Sequence, residues 1–550
     1  MRLNVNTCCK IFSILIVLCF SCKKSVHEPE EEPVICMEPS IIEIDLNDNK
    51  PHSTAVFLNY LPVDSSRIKW TSTNPEIAEV DENGRITAVD VGEAEIVATL
   101  VKEGIDFKCE VKVYSNCLYK FRITLKDKGE SGFSIDRPGE FLSSKAMDRR
   151  EKRKIAIDET DLPISPEYIK EIENTGGAIV VKSKWLNTVT VQYYNQSLKD
   201  KLQQLSFVEG VELVWQQENK ELKCHQKSTE NSRPTSFDDS NIAFDTTYYG
   251  ASWNSIKLNN GQVLHELGYK GKGMDIAIID AGFIDINTNP SLKNINIKGA
   301  KSFIYEDSNP YNTDSHGVWV TSCMATNKPG YYVGSAPEAN YWLLRTENLS
   351  TEYPVEQDYW VAAAEYADSV GVDVINTSLY YFSSKLPPYV VEREHLDGKT
   401  ELATRAANMA AAKGIFIACC AGNYPTTLST PGDSPNVLTV GSVTDSGLIS
   451  EFTASGITVD GRMIPDVVAL GGYAGVIDVD GQVSFRSGTS YACPTLCGLS
   501  ACLWQAFPEL SNHELLDIIR QSADRYNHPE LPYACGIPDM AKAFKLAQSR

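Results

Sequence analysis

A set of near-continuous apolar runs in the C-terminal half does most to limit what this chain can fold into. They are Met274 to Asp280, Tyr341 to Arg345, Val372 to Asn376, Ile415 to Cys419 and Val437 to Val440. A strand that is apolar at nearly every position, rather than at alternate ones, is covered on both faces, as strands of a parallel sheet are. Helical periodicity fills segments between them, as in Val361 to Ser369 and Leu402 to Lys413. This alternation predicts an α/β doubly wound parallel sheet over residues 247–550. Ligands of such sheets bind at the carboxyl ends of the strands.

The 550 residues are too many for one core, and the N-terminal half has a different texture. Residues 35–114 alternate short strands with frequent turns, the pattern of an all-β sandwich, with Asn83-Gly84 as a hairpin turn between Ile77 to Val80 and Arg85 to Ala88. Residues 117–215 read strand, helix, strand, strand, helix, strand, the ferredoxin-like order, with Pro166 in the first turn of a helix after Ser165. Residues 216–246 are polar and aperiodic, hence a linker and the expected place for a processing cut. Residues 1–22 carry Arg2 and Lys10 ahead of a short apolar run, Ile11 to Phe20, which marks a signal peptide rather than a membrane span. A Pro/Glu-rich tether follows at 25–33.

Composition excludes some classes. With 42% hydrophobic and 22% charged residues the chain is globular, and a net charge of -21 argues against a nucleic-acid partner. The cysteines form no metal-ligand pattern, so no metal site is expected. Cys36 and Cys109 flank the β domain and are candidates to pair. Cys419, Cys420, Cys493, Cys497 and Cys502 lie in apolar stretches and are expected to be buried thiols.

Four polar groups fall at or beyond strand ends of the α/β region. Asp280 ends the first apolar run and precedes Ala281-Gly282. His316 lies in Asp314-Ser315-His316-Gly317, at the start of a helix. Asn423 follows the Ile415 run in Ala421-Gly422-Asn423. Ser490 lies in Ser487-Gly488-Thr489-Ser490, a glycine turn ahead of a helix expected from Thr495 to Gln505. A serine there exposes its hydroxyl, and its own N–H together with the helix dipole can hold a developing oxyanion.

Asp, His, Asn and then Ser in Gly-Thr-Ser is an order that resembles the subtilisin-like serine peptidase family. The resemblance spans roughly residues 260–545 and includes Gly268 to Gly273 and Val333 to Ala339. It implies Asp280, His316 and Ser490 as a catalytic triad, Asn423 as an oxyanion-hole donor, and Ser378, Leu379 and Tyr380 as the substrate-binding strand. It also makes the 117–215 unit resemble a subtilase propeptide, so the chain's own propeptide-like domain is an expected partner beside peptide substrates. Trp70 to Asn74, Ile77 to Val80, Gly84 and Gly92 resemble bacterial Ig-like domains. Ser21-Cys22 after the apolar run resembles a lipobox, with Cys22 as the lipidated residue.

Together these imply an exported endopeptidase held at a bacterial membrane by a lipid, with the catalytic domain released, or retained only by non-covalent contact with its own propeptide, if the linker is cut. No cofactor is expected; calcium sites are common in the family and calcium stays open, since no loop here matches well enough to assign one. Three departures bear on specificity: Ala281 where Ser or Thr is usual, Tyr380-Tyr381 where glycines commonly line the substrate strand, and Tyr491 in place of methionine. A second reading is a catalytically silent surface binding protein that uses its Ig-like domain, against which the intact set of four groups counts. A small-ligand scaffold is disfavoured because no phosphate-cradling glycine motif follows a strand.

Overall fold

The computed structural model describes residues 36–46, 53–58, 67–115, 118–217, 247–348, 352–385 and 388–550. The signal and Cys22, the tether, and almost all of the linker lie outside the described residues. The chain divides into two compact units, Met1–Tyr114 and Ser115–Arg550.

The first unit is all β. Ile41–Asp45, Ile105–Tyr114, Gly92–Leu100 and Ile68–Ser72 form one sheet in that order; Ser53–Ala55, Arg85–Ala88 and Ala78–Val80 form another. Gly92–Leu100 buries every second residue, Ala94, Ile96, Ala98 and Leu100, because successive side chains of a strand point to opposite faces. The Asn83-Gly84 hairpin is present. Val80 pairs with Ile86, Gly84 has φ 76°, and the Asp81 carboxylate accepts from the N–H groups of Asn83 and Arg85 at 2.9 and 2.8 Å. Cys36 and Cys109 do not pair. Cys109 is turned into the core opposite Ile96, whereas the Cys36 thiol is directed at Glu38.

The second unit opens with an antiparallel sheet of β1 (Tyr119–Leu125), β2 (Ala178–Ser183), β3 (Thr188–Tyr193) and β4 (Val208–Gln216), in the order β2-β3-β1-β4. Helices α2 (Pro166–Asn174) and α3 (Leu198–Gln203) bury Ile172, Leu198 and Leu202 against Phe121, Ile123, Val189 and Val191. This is the ferredoxin-like arrangement. Between β1 and α2 runs an insertion, residues 126–165, with a helix α1 (Ser144–Arg153) that the periodicity does not announce. Its buried residues are Ala146, Arg149 and Arg150, not an apolar stripe.

Next comes a seven-stranded, wholly parallel sheet: β5 (Asp275–Asp280), β6 (Asn296–Ser302), β7 (Asn340–Arg345), β8 (Val374–Thr377), β9 (Phe416–Cys420), β10 (Leu438–Val443) and β11 (Val467–Leu470). Its order is β6-β7-β5-β8-β9-β10-β11. Ile276 and Ile278 pack into a core with α4 (His316–Ala325), α7 (Thr489–Ala506) and α8 (Asn512–Ser522). Ala277 and Ile279 pack into another with α5 (Val355–Val370) and α6 (Leu402–Ala412). Burial on both faces is the reason these strands read as apolar throughout, and the doubly wound α/β class is borne out. The expected buried thiols are buried and free.

The β1–β4 sheet lies over α5. Arg122 forks onto Asp358, donating to both carboxylate oxygens at 2.7 and 2.6 Å. Glu365 accepts from the Ser183 hydroxyl and from the N–H groups of Lys184 and Trp185, which seats the β2–β3 turn on the helix.

Candidate active site

The site is assembled at the carboxyl ends of β5, β8 and β9. Asp280 is the last residue of β5 and fully buried. His316 begins α4, and its N–H bonds to the Asp314 carboxylate at 2.7 Å. The two turns come together because neither carries a side chain at the point of contact. A Cβ on Gly317 would stand 2.3 Å from the Gly282 carbonyl oxygen, and one on Gly282 would stand 2.1 Å from the Thr313 carbonyl oxygen. The Asp-Ala-Gly and His-Gly pairs are therefore packing requirements.

That approach leaves His316 Nδ1 2.7 Å from Asp280 Oδ1. A carboxylate only accepts, so Nδ1 carries the proton and donates, and Nε2 keeps its lone pair. Asp280 Oδ1 also accepts from Ala281 N–H at 2.8 Å, while the buried Oδ2 has no partner among the described residues. With alanine at 281 the neighbouring side chain offers no hydroxyl to it.

Helix α7 begins at Thr489, six residues before the expected start, so Ser490 is its second residue. Gly488 makes the turn. Pro494 lies inside the helix and has no N–H to give the carbonyl four residues back, that of Ser490. The Ser378 hydroxyl takes that place, donating to Ser490 O at 3.0 Å. In return, Ser490 Oγ donates to Ser378 O at 3.4 Å. Ser378 is the first residue beyond β8, so these bonds tie the serine turn to the end of the sheet. The Tyr491 ring lies 6.3 Å from the His316 ring, which brings the serine turn alongside the Asp280–His316 pair.

Asn423, beyond β9, is held by a residue the sequence reading passed over. Thr489 donates to Asn423 Oδ1 twice, from its N–H at 2.9 Å and its hydroxyl at 3.0 Å. The same hydroxyl accepts from Gly422 N–H at 3.2 Å. With Oδ1 engaged, the donor end of the amide, Nδ2, lies 3.7 Å from where a Cβ on Gly488 would stand, beside the serine turn. The Gly-Thr lead was the available signal, and its second member anchors the asparagine.

Ser378, Leu379 and Tyr380 run on from β8. Leu379 and Tyr381 turn inward, and the Tyr381 hydroxyl donates to the buried Glu347 carboxylate at 2.5 Å. Tyr380 lies on the other side. Its ring is 3.6 Å from where a Gly422 Cβ would be, and it stacks on Phe382 at 6.0 Å. Phe382 in turn meets the half-exposed Tyr424 at 5.4 Å. Beyond the histidine, Trp319 donates its indole N–H to Asp478 at 3.0 Å and carries the Arg486 guanidinium over its ring. Among the described residues no group of three or more His, Cys, Asp or Glu could hold a metal ion.

Comparison with known proteins finds a related family for each of three segments. Residues 271–537 match the Subtilase family, 120–233 the Peptidase S8 propeptide domain of Bacteroidota, and 58–111 the Bacterial Ig-like domain (group 2). Subtilisin E of Bacillus subtilis is 29% identical over 267 residues, 47% of this chain and 63% of its own. Serine protease AprX of the same species is 26% identical over 296 residues, 49% of this chain and 64% of its own. The match thus spans somewhat under two thirds of each relative's length. The epidermin leader peptide processing serine protease of Staphylococcus aureus shares the fold, with TM-score 0.54 and 16% identity over 79% of this chain and 99% of that one. Residues 271–537 thus carry a subtilase-type α/β domain, preceded in this chain by a propeptide-type and an Ig-like domain.

Proposed function

We propose that the chain is an exported serine endopeptidase in which Ser490 is the nucleophile, His316 the general base and Asp280 its orienting carboxylate. Ser490 Oγ attacks the peptide carbonyl while its proton passes to His316 Nε2, the nitrogen that the Asp280 bond leaves unprotonated. The imidazolium formed is stabilised by the buried carboxylate at 2.7 Å. Asn423 Nδ2 and the Ser490 N–H, in the first turn of α7, donate to the oxyanion. His316 then protonates the leaving amine, and water hydrolyses the acyl-enzyme by the same route in reverse. This chemistry draws on side chains and backbone alone. The observation that carries the reading is the short His316–Asp280 bond with the carboxylate wholly buried, beside a serine at a helix start.

Ser378, Leu379 and Tyr380 form the strand along which substrate lies in this reading. On it Tyr380 crowds the position next to the scissile bond. Export and a lipid on Cys22 are part of the same proposal. A fluorophosphonate probe and a casein digest test the chemistry: wild type is labelled and active, and Ser490→Ala is neither. Labelled palmitate taken up by wild type and not by Cys22→Ala tests the anchor. Folded wild type that takes no probe favours the silent binding protein instead.

A further inference from the structure

The hairpin that leads into the serine turn carries a cation beside His316 that the mechanism above leaves idle. Its strands, β12 (Ala474–Ile477) and β13 (Val483–Arg486), pair antiparallel with Ala474 opposite Arg486, and Arg486 stands four residues before Ser490. The hairpin is fastened to both sides of the site. Ile477 N–H donates to the Ser322 hydroxyl of α4 at 2.9 Å, and Tyr473 N–H donates to Ser487 Oγ in the serine turn at 3.0 Å. The Tyr473 and Phe485 rings stack at 4.8 Å.

Arg486 is held from two directions. Its guanidinium lies over the Trp319 ring, 3.5 Å from the ring centre, and donates from Nη2 to Asp478 at 2.8 Å. Trp319 follows His316 by about one turn of α4, and the two rings are 6.4 Å apart. The Asp478 carboxylate spreads its charge over three donors, since it also accepts from Trp319 Nε1 and from Val479 N–H, each at 3.0 Å. Arg486 is less fully used. A guanidinium has five N–H donors in a rigid fork, and among the described residues Asp478 is the one acceptor of this one, with Nε left without a partner. The side chain keeps 21% of its surface exposed. Stacked on an indole and tied at one edge, the fork is preorganised, and its free edge suits a second carboxylate, which a guanidinium binds through parallel N–H donors.

Its place relative to the chemistry decides which half of a substrate reaches it. In the proposed mechanism the acyl half lies along Ser378 to Tyr380, while the amine departs towards His316, which protonates it. Trp319 lies beyond His316 on α4 and Arg486 on the hairpin ahead of the serine, both apart from the 378–380 strand. They therefore meet the residues that follow the scissile bond.

We infer that Arg486, held over Trp319 by Asp478, selects substrates with a carboxylate within the first two residues after the scissile bond. The inference rests on the peptidase reading. Such a carboxylate has two sources, an Asp or Glu side chain and the C-terminus of a short substrate, and the test separates them.

A casein-derived peptide whose cleavage point has been mapped by mass spectrometry serves as parent for two sets. The first ends in an amide and carries Asp, Glu, Asn, Gln or Lys at the first or second position after the cut. The second has no acidic side chain and ends two residues after the cut, as free acid or as amide. Wild type is expected to show kcat/KM at least about fivefold higher for the carboxylate member of a pair than for its neutral counterpart, with Lys lowest. The ratio is expected to shrink with salt. Preference in the first set assigns the side chain, and preference confined to the second assigns the chain end. Preference in neither overturns the inference.

Arg486→Gln is expected to bring the ratio to about one. Asp478→Asn keeps an oxygen for Trp319 but removes the competing charge, and is expected to raise the ratio about two- to threefold. A merely structural role would slow all peptides alike and leave the ratios unmoved, which also overturns the inference. If Arg486→Gln does not fold, Asp478→Asn decides, and a ratio that fails to rise refutes the carboxylate site. Hydrolysis of every member at one rate, with fluorophosphonate still labelling Ser490, removes this inference and keeps the peptidase; no label and no hydrolysis removes both.

Discussion

In the proposed mechanism Asn423 has two jobs, and two substitutions separate them. Its Oδ1 takes both donors of Thr489, at 2.9 and 3.0 Å, and its Nδ2 faces the serine turn. Asn423→Ala removes both functions. The lost donor lowers kcat about a hundred- to a thousandfold, about 2.7–4 kcal/mol of transition-state stabilisation. The lost acceptor strands the N–H of the fully buried Thr489, and two bonds of about 1 kcal/mol each put the stability cost at about 2–3 kcal/mol. Asn423→Asp keeps the acceptor and so most of the stability, but replaces the donor by an oxygen that repels the oxyanion. Its kcat falls at least as far as that of the alanine variant, with KM little changed. Steady-state kinetics on a fluorogenic peptide and thermal unfolding of the three proteins read both effects. An Asn423→Asp enzyme that keeps more than about a tenth of wild-type kcat would refute the donor role. Equal destabilisation by Ala and Asp would refute the Thr489 anchor.

Other perturbations follow from the same geometry. Asp280→Asn removes the carboxylate that fixes the His316 tautomer and should lower kcat about ten-thousandfold; a loss under tenfold would show that the 2.7 Å bond does not orient the base. Burial raises the Asp433 carboxyl to about 6 from 3.8. The folded state then binds more protons than the unfolded one between those values, so this group makes stability fall as pH rises from about 4 to 6, by up to about 3 kcal/mol. Thermal unfolding across that range checks it, since Asp433→Asn should remove that slope and an identical pH profile would sink it. Arg122→Ala leaves the Asp358 carboxylate buried without its main cation and should destabilise the chain by about 3–5 kcal/mol, read by denaturant unfolding; a cost under about 1 kcal/mol would mean the pair is hydrated. Tyr380→Gly should raise kcat/KM about tenfold or more for peptides with a large residue before the scissile bond and leave small ones unchanged, and a uniform change would place the ring outside the substrate path.

The strands, the turns and the chain order of the four candidate groups are readable in the primary structure. Burial on both faces writes itself into β5 and β8 as unbroken apolar runs, and Asn83-Gly84 and Ser165-Pro166 mark a turn and a helix start through local backbone preference alone. Asp280, His316, Asn423 and Ser490 stand out as candidates because each has a glycine within two residues, where backbones come close. Helix α7 starts six residues before the expected Thr495, since Pro494 reads locally as a helix boundary. Only the tertiary fold supplies the Ser378 hydroxyl that serves the Ser490 carbonyl in its place. Thr489 as the holder of Asn423, and Arg149 and Arg150 as caps on helices more than two hundred residues away, were likewise decided by the fold. Periodicity records whether a face is buried. It carries no record of which distant carbonyl or carboxylate a buried cation will meet, because that partner exists only once the sheet has brought it there.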